Sequence, residues 1–481
     1  MEHPSQNALA TLQADPAYAR AGWVARGLLH AGFQAFFAGG SVRDLLLGRT
    51  PDDYDIATSA TPGQVIALFT RLGRKTLSVG AHFGVVLVCD EPTEYSSESQ
   101  QSAIEVATFR HDGAYRDGRR PDAVRFSLDP REDVLRRDFT INGMLLDVAR
   151  FERDGDLNAA ILDLVGGRAD LATETIRAIG NPALRFEEDR LRMLRAIRFA
   201  ARLRFSIEPQ TFRAIQAHAP GVATVSCERI REELTRMLSE GGARRALELL
   251  DTSGLLQIIL PEAVKMHGVE QPPEFHPEGD VWVHTMLLLE RLEPGCSPTL
   301  AWGALLHDIG KPATFQPPQH PGDRIRFKGH VEVGVRIAEV ILARLRFSRE
   351  DTDQIIALIK NHMRFGDLTK MKRSTLTRFL RMPRFDEHLA LHWLDCMACH
   401  QMLRAYDFAK REFEAAPIED LRPALLVTGK DLIAAGYSPG PLFRQMLETA
   451  EDAQLESTIA TREEGLALLR DRFGPKDGRR D

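Results

Sequence analysis

The chain has 481 residues, 43% hydrophobic and 27% charged, the composition of a soluble globular protein of roughly three domains rather than a disordered or fibrous one. No apolar run reaches membrane-span length, no basic start with an apolar core opens the chain, and five scattered cysteines make no disulfide framework. A cytoplasmic protein with no membrane partner is expected, and a net charge of −6 excludes bulk attraction to nucleic acid, so any RNA contact must use local basic patches.

Residues 1–35 carry a helical pattern, with Trp23, Val24, Leu28 and Leu29 as apolar positions before a first strand. Phe36–Thr58, FFAGGSVRDLLLGRTPDDYDIAT, then reads strand, Gly-Gly turn, short helix, turn, strand. A turn at Gly39-Gly40 lets a phosphate approach bare backbone, the helix opened by Ser41 favours negative charge at its start, and Arg43 adds a charged donor. Asp53 and Asp55, two apart on the next strand, point to one face. Such a pair is costly unless protonated or bridged by cations. Hard oxygen ligands beside a phosphate cradle suggest Mg²⁺ and phosphoryl transfer. Each feature alone is commonly a polar turn; their order within so short a stretch is what makes them specific.

Thr61-Pro62 starts a helix that Gly73 stops, and Lys75–Val79 and Gly84–Asp90 read as strands around the GAHFG turn, Gly80–Gly84. Glu91–Ser102 reads as a flexible hairpin tip. Ala103–Arg110 is a strand whose Glu105 is either a third carboxylate of the site or a solvent-facing glutamate. His111–Val124 has the Gly, Asp and Arg content of a mobile loop. Glu132–Asp147 is a helix start and then an apolar run, in which Arg136, Arg137 and Asp138 crowd charge as a salt-bridge cluster or a binding site. Asp163–Leu171 looks like the exit from a mixed region, 1–172; nearly everything beyond reads as helix, giving an α+β chain.

Arg185–Arg204, RFEEDRLRMLRAIRFAARLR, holds seven Arg against three acids, with Arg192, Arg195, Arg198 and Arg202 on one helical stripe. The bland alternative is a solvated basic face. Asp189 and Arg192, three apart, are expected as neighbours on one face. A carboxylate accepts and a guanidinium donates, which matches the amino donor and ring-nitrogen acceptor of cytosine and adenine and mismatches uracil and guanine. Ser226 opens a further helix of a neck spanning 173–265.

An ordered series follows: His284 after His276-Pro-Glu-Gly-Asp280, His307-Asp308, His330, His362 and Asp395, mostly on expected helices. Imidazole and carboxylate ligands suit a divalent transition metal, Ni²⁺, Mn²⁺, Co²⁺ or Fe²⁺, and Lys311 could touch a phosphate. Cys396-x-x-Cys399 lacks a second pair and is read as core. The basic stretch Leu368–Phe385 is either a solvated helix face or an RNA-backbone contact.

GGSVRDLLLGRTPDDYDIAT resembles the signature of the tRNA nucleotidyltransferase/poly(A) polymerase family, bacterial-type class, whose members add CCA or part of it to tRNA 3′ ends, or A tails to RNA. The resemblance implies that Asp53, Asp55 and Glu105 are catalytic and that Gly39, Gly40, Ser41 and Arg43 hold phosphates. It implies that Arg136, Arg137, Asp138 and Asn142 of RRDFTIN contact the incoming nucleotide, with Gly143 in place of the commoner Ala. It makes Glu188, Asp189, Arg192 and Arg195 of the EDRLR region a protein template, and 111–124 a nucleotide-switching loop to which Arg110, Asp112, Tyr115 and Asp117 belong. Residues 428–465 resemble the tRNA-gripping tail of the CCA-adding members, and the histidine series resembles the HD phosphohydrolase superfamily. The expected domains are a palm (1–172), neck (173–265), HD body (266–400) and tail (401–481), acting on tRNA with CTP and ATP; oligomeric state stays open.

The rivals are a poly(A) polymerase, against which GAHFG looks like the CCA-adding branch, and a CC-only enzyme, against which the full 111–124 loop stands. A-only addition stays open. From other classes come an HD phosphohydrolase with an idle palm, disfavoured by the intact Asp53/Asp55 pair, and a non-catalytic RNA-binding module, disfavoured by two complete sets of metal-ligand types.

Overall fold

The computed structural model describes residues 12, 14–89, 103–113, 122–417, 421 and 423–474. The expected hairpin tip at 91–102, Tyr115 and Asp117 of the loop, and 475–481 lie outside the described residues. The chain forms two compact units, one of residues up to 237 with 245–259, the other of 238–244 with residues from 260 onward.

In the first unit the strands in chain order are β1 (Ala35–Ala38), β2 (Asp55–Thr58), β3 (Thr76–Gly80), β4 (Val85–Cys89), β5 (Ala103–Thr108), β6 (Arg110–Asp112), β7 (Val124–Phe126), β8 (Leu145–Asp147) and β9 (Ile161–Leu162). Seven make one sheet in the order β3-β4-β5-β2-β1-β8-β9, and β6 and β7 pair separately. Within it β2 and β5 run parallel, and the neighbours β1/β2, β1/β8 and β4/β5 are antiparallel. The helix Pro16–His30 packs its Tyr18 edge-on to Phe37 and Tyr54, 5.5 and 5.6 Å between ring centroids. Tyr54 is buried and the flanking Asp53 and Asp55 are accessible, but β2 starts only at Asp55, so Asp53 lies just before the strand on which it was expected. Thr61 and Gln64 form a reciprocal cap on the helix Pro62–Arg71.

The structure refines two expectations that it otherwise meets. The segment from Glu132 is a short helix, Pro130–Leu135, then a 3₁₀ turn, Thr140–Asn142, and only then β8. Beyond residue 172 the regular structure of the described residues is nearly all helical, with a two-stranded parallel ladder of Thr175–Ile176 with Ser206–Ile207 and isolated bridges such as Gln316 with Arg326.

The second unit is helical. Its helices Val281–Glu290 and Pro298–Leu306 are apolar on nearly every side and buried, with Trp302 fully enclosed. A second cluster centres on Phe365, packed with Phe379, Phe385 and a stacked His392 ring. Among the described residues no helix is long and apolar enough to cross a membrane.

The basic stretch 368–385 matches neither of its expected readings throughout. Arg378 bonds Glu451 at 2.6 Å and also meets Asp452, and Arg381 reaches Glu451 at 2.7 Å. These arginines tie the helix Arg373–Leu380 to the helix Pro441–Leu455. Arg378→Ala should therefore lower amide-exchange protection across 441–455 by roughly tenfold, about 1.4 kcal/mol of lost charge-assisted hydrogen bonding. Unchanged protection there would remove this role.

Candidate active and metal-binding sites

The first candidate site lies where β1 turns into the helix Gly40–Leu46. Gly39 has φ 76°, a conformation that favours glycine. A Cβ there would stand 3.5 Å from Arg137 Nη1 and 3.9 Å from Asp55 Oδ2, so the turn, the strand carboxylate and Arg137 form one cluster. The parallel register of Ile56 with Val106 sets Asp55 beside Glu105, one residue earlier on each strand. Both are accessible yet recessed. Burial, then Glu105 and Asp53, raise the Asp55 carboxyl to about 7 against the pull of Arg137. Burial raises Glu105 too, with Arg137 opposing. Crowded carboxylates of this kind fit a divalent cation, which would relieve their mutual repulsion.

The arginines here are held by acids. Asp133, fully buried, takes Arg136 at 2.6 Å and Arg137 at 2.9 Å. Burial works to raise its carboxyl, and the two guanidinium groups hold it below the ordinary range. Asp138 accepts from Arg195 Nε at 2.9 Å and from Asn142 Nδ2 at 3.2 Å. Burial opposes, and Arg195 chiefly keeps the Asp138 carboxyl low.

Arg43 is only 4% exposed, engaged by Asp44 at 2.8 Å and donating to Asn142 Oδ1 at 2.9 Å; it is a buried charge beside the turn rather than a free phosphate donor. Ser41 Oγ donates to the carbonyl of Ala38, closing the turn onto β1.

The expected single helix Arg185–Arg204 is two. Pro182–Glu188 ends at Asp189, which is extended (φ −142°, ψ 104°), and Leu191–Leu203 begins after it. The Asp189 carboxylate accepts the Leu191 N–H, a cap interaction that competes with continuing the helix. Asp189 and Arg192 are therefore not neighbours on one helix face. Arg192 pairs with Glu188 at 2.7 Å and donates to the Arg136 carbonyl at 2.9 Å. Asp189 is clamped by Arg229, 2.9 and 3.2 Å, from the helix Cys227–Ser239. Nor is the arginine stripe a solvated face, since Arg198 is buried against Glu233 at 2.7 Å. The site partners Arg229, Glu233 and Asp133 were not anticipated. For Asp133 the signal existed, three and four residues before Arg136 and Arg137.

The second candidate site, in the second unit, assembles the whole histidine series. His284 Nε2 lies 3.1 Å from Asp395 Oδ1, 3.9 Å from Asp308 Oδ2 and 3.3 Å from His307 Nε2. His307 Nε2 is 3.2 Å from Asp308 Oδ2, and His330 and His362 Nε2 approach Asp308 Oδ1 at 3.8 and 3.7 Å. The Nδ1 atoms of His307, His330 and His362 contact the carbonyls of Ala304, Phe327 and Ile359 at 2.9, 3.0 and 2.7 Å, which aims Nε2 at the centre. Asp308 Oδ1 and His330 Nε2 are buried with no hydrogen-bond partner among the described residues, and His284, His307, Asp308, His330 and His362 fall into metal-compatible groups. That donor set fits a metal ion.

Burial opposes, and Lys311 and then His307 hold Asp308 well below the carboxylate range. Burial would lower His284, but Asp395 and Glu278 hold it up to about 9. Burial pushes His362 down to about 4. Lys311 is spent inside the protein, 2.6 Å from Asp308 and 2.7 Å from Gln271. The cluster opens into a cavity of about 420 Å³ lined by Phe275, His276, Phe327, Met363 and Cys399. Cys396 is buried as expected, whereas Cys399 faces this cavity.

The fold and these sites define a nucleotidyltransferase with an appended metal-binding helical domain. Residues 35–177 match the poly A polymerase head domain, 204–266 the probable RNA and SrmB-binding site of polymerase A, and 280–391 the HD domain. The CCA-adding enzyme of Levilactobacillus brevis is 41% identical over 439 residues, 88% of this chain and 89% of the relative. That of Geobacillus thermodenitrificans is 42% identical over 240 residues, 50% of this chain and 54% of that relative, so this match spans about half its length. The crystal structure of the Bacillus stearothermophilus CCA-adding enzyme in complex with CTP superposes with a TM-score of 0.69 at 27% identity, covering 95% of this chain and 98% of that one. The chain belongs to the CCA-adding enzyme family, and it is a tRNA nucleotidyltransferase. Both domain types imply dependence on divalent metal.

A pH test follows from Asp55. Its carboxyl in the folded protein titrates near 7, above its unfolded value of about 4. Between those values the folded state binds a proton the unfolded state does not, so stability falls as pH rises through this window. The metal-free melting temperature should drop between pH 5 and 8 by calorimetry. Asp55→Asn should flatten that slope; an identical slope in the variant would contradict the assignment.

Proposed function

We propose that this chain adds C and A nucleotides to the 3′ end of tRNA from CTP and ATP, releasing pyrophosphate, with Asp53, Asp55 and Glu105 as its catalytic carboxylates. The observation that carries this is the meeting of Asp55, Glu105, the Gly39 turn and Arg137 in one cluster. Mg²⁺ is the cation these oxygens favour; when bound, it supplies charge neutralisation and makes the primer 3′-hydroxyl more acidic. Asp55 must give up its proton to serve as a ligand. Gly39 and Gly40 let phosphate approach the backbone, with Ser41 holding the turn. Arg136 and Arg137 offer positive charge to the triphosphate, while Asp138, Asn142 and Arg195 order the nucleotide's surroundings. Asp189 accepts from the base amino group and Arg192 donates to its ring nitrogen, steadied by Glu188.

In this reading residues 1–172 are the palm, 173–265 the neck, 266–400 the HD body and 401–481 a tRNA-binding tail, in a cytoplasmic protein. Relatives along nearly the whole length that carry the CCA-adding name support CCA over poly(A) addition. The test uses tRNAs ending at the discriminator base, at C and at CC. Purified protein should complete all three and stop; long A tails without CTP use would overturn the reading, and addition only to the CC end would make it A-only. Asp53→Ala or Asp55→Ala should lower the rate far more than the tenfold that equals ~1.4 kcal/mol. Asp189→Ala or Arg192→Ala should relax CTP-over-UTP preference by orders of magnitude.

A second reading is favoured by the histidine centre: a phosphoesterase using a transition metal, Ni²⁺, Mn²⁺, Co²⁺ or Fe²⁺. His307→Ala with Asp308→Ala should abolish hydrolysis of 2′,3′-cyclic nucleotides or small phosphomonoesters and leave nucleotide addition intact. Equal hydrolysis by wild type and double variant over a panel of metals would remove this activity.

A further inference from the structure

We propose that Glu278 is a positioning residue of the histidine centre: it holds His284 with Nε2 aimed inward and so strengthens the grip on a divalent cation. This rests on the metal-binding reading of that centre.

Three of the four inward histidines are steered by main-chain carbonyls through Nδ1. His284 differs. Its Nδ1 lies 2.7 Å from Glu278 Oε1, a carboxylate whose side chain is 6% exposed, while His284 itself is wholly buried. The same oxygen meets His276 Nδ1 at 2.9 Å. A carboxylate can only accept here, so His284 carries hydrogen on Nδ1 and turns Nε2 towards Asp395 and Asp308. A charged acceptor makes the imidazole a better donor than a carbonyl does. The centre thus has one histidine backed by a full negative charge, set beside Asp395.

A merely structural role for Glu278 fits the surroundings poorly. The segment before the helix Val281–Glu290 is already anchored by Asp280, which accepts the Val283 N–H at 2.8 Å and the Gly268 N–H at 2.7 Å. The one backbone group recorded against the Glu278 carboxylate is its own, so it ties no other segment down, and its Oε2 is buried without a hydrogen-bond partner among the described residues. Leaving that oxygen unpaired has a cost that loop anchoring alone does not explain.

The test titrates Co²⁺ into metal-stripped full-length protein and reads visible absorption under chelator competition. His307→Ala with Asp308→Ala is the blank for the histidine centre. Glu278→Ala should weaken Co²⁺ affinity by about 10–100-fold and alter the absorption bands. Glu278→Gln keeps an acceptor but no charge and should fall between, with nucleotide addition and cooperative melting retained. Affinity within twofold of wild type and unchanged bands in both variants would overturn the role. So would a loss of affinity accompanied in both by loss of cooperative melting, which would make Glu278 structural. Wild type binding no more Co²⁺ than the blank would sink the metal-centre reading itself, an outcome distinct from wild-type binding that Glu278 does not affect.

Discussion

A guanidinium taken out of water needs a carboxylate beside it, because an unpaired buried charge costs several kcal/mol or more. The first unit is organised by that constraint. Arg43 is matched by Asp44, Arg136 and Arg137 share Asp133, Arg195 takes Asp138, and Arg198 takes Glu233. Hydrogen bonds of these and neighbouring arginines also join segments distant in sequence: Arg43 to Asn142, Arg195 to Asp138, Arg229 to Asp189. The groups around Asp55 are therefore held in place before any ligand arrives, which is how a site avoids reorganisation during reaction.

The second unit meets the opposite requirement. Its centre must leave ring nitrogens uncommitted, and helix ends supply the means. The last carbonyls of a helix lack intrahelical partners. His307 and His362 cap the helices Pro298–Leu306 and Arg349–Asn361, and their Nδ1 atoms engage carbonyls three residues back. One contact satisfies the helix end and aims Nε2 inward.

Much of this was legible in the sequence. The strands β4 and β5 stood where expected, and the two-residue spacing of Asp53 and Asp55 put both on one side, which is the accessible one. The order of histidines and aspartates was enough to single out the second centre, because few other patterns need those types together. What was not legible is pairing at long range. Nothing in the residue types around position 189 names Arg229 as its partner, and nothing in Arg198 names Glu233. The helix break at Asp189 was missed for a local reason: helical periodicity runs through Arg185–Arg204 unbroken, while an aspartate before Leu191 can equally cap a new helix. The basic stretch 368–385 misled because its partners, Glu451 and Asp452, lie some seventy residues on.

That break bears on base selection. A pair on one helix face would move together, whereas here each member is pinned by different neighbours. Asp189 Oδ1 accepts two hydrogen bonds, from Leu191 N–H and Arg229, and Oδ2 accepts one, from Arg229. Among the described residues Oδ2 thus keeps an open lone pair. Arg192 spends Nη1 on Glu188 and the Arg185 carbonyl, and one Nη2 hydrogen on the Arg136 carbonyl. Its Nε–H and a second Nη2 hydrogen remain. An open acceptor and open donors on separate supports are what the proposed reading of cytosine and adenine requires. A base offering a carbonyl to Oδ2 would meet repulsion that neither side chain can relieve without abandoning a partner. In the proposed reading, discrimination would therefore need Arg229, Glu188 and the Arg136 carbonyl as well as the two reading residues, because these supports deny them an alternative orientation.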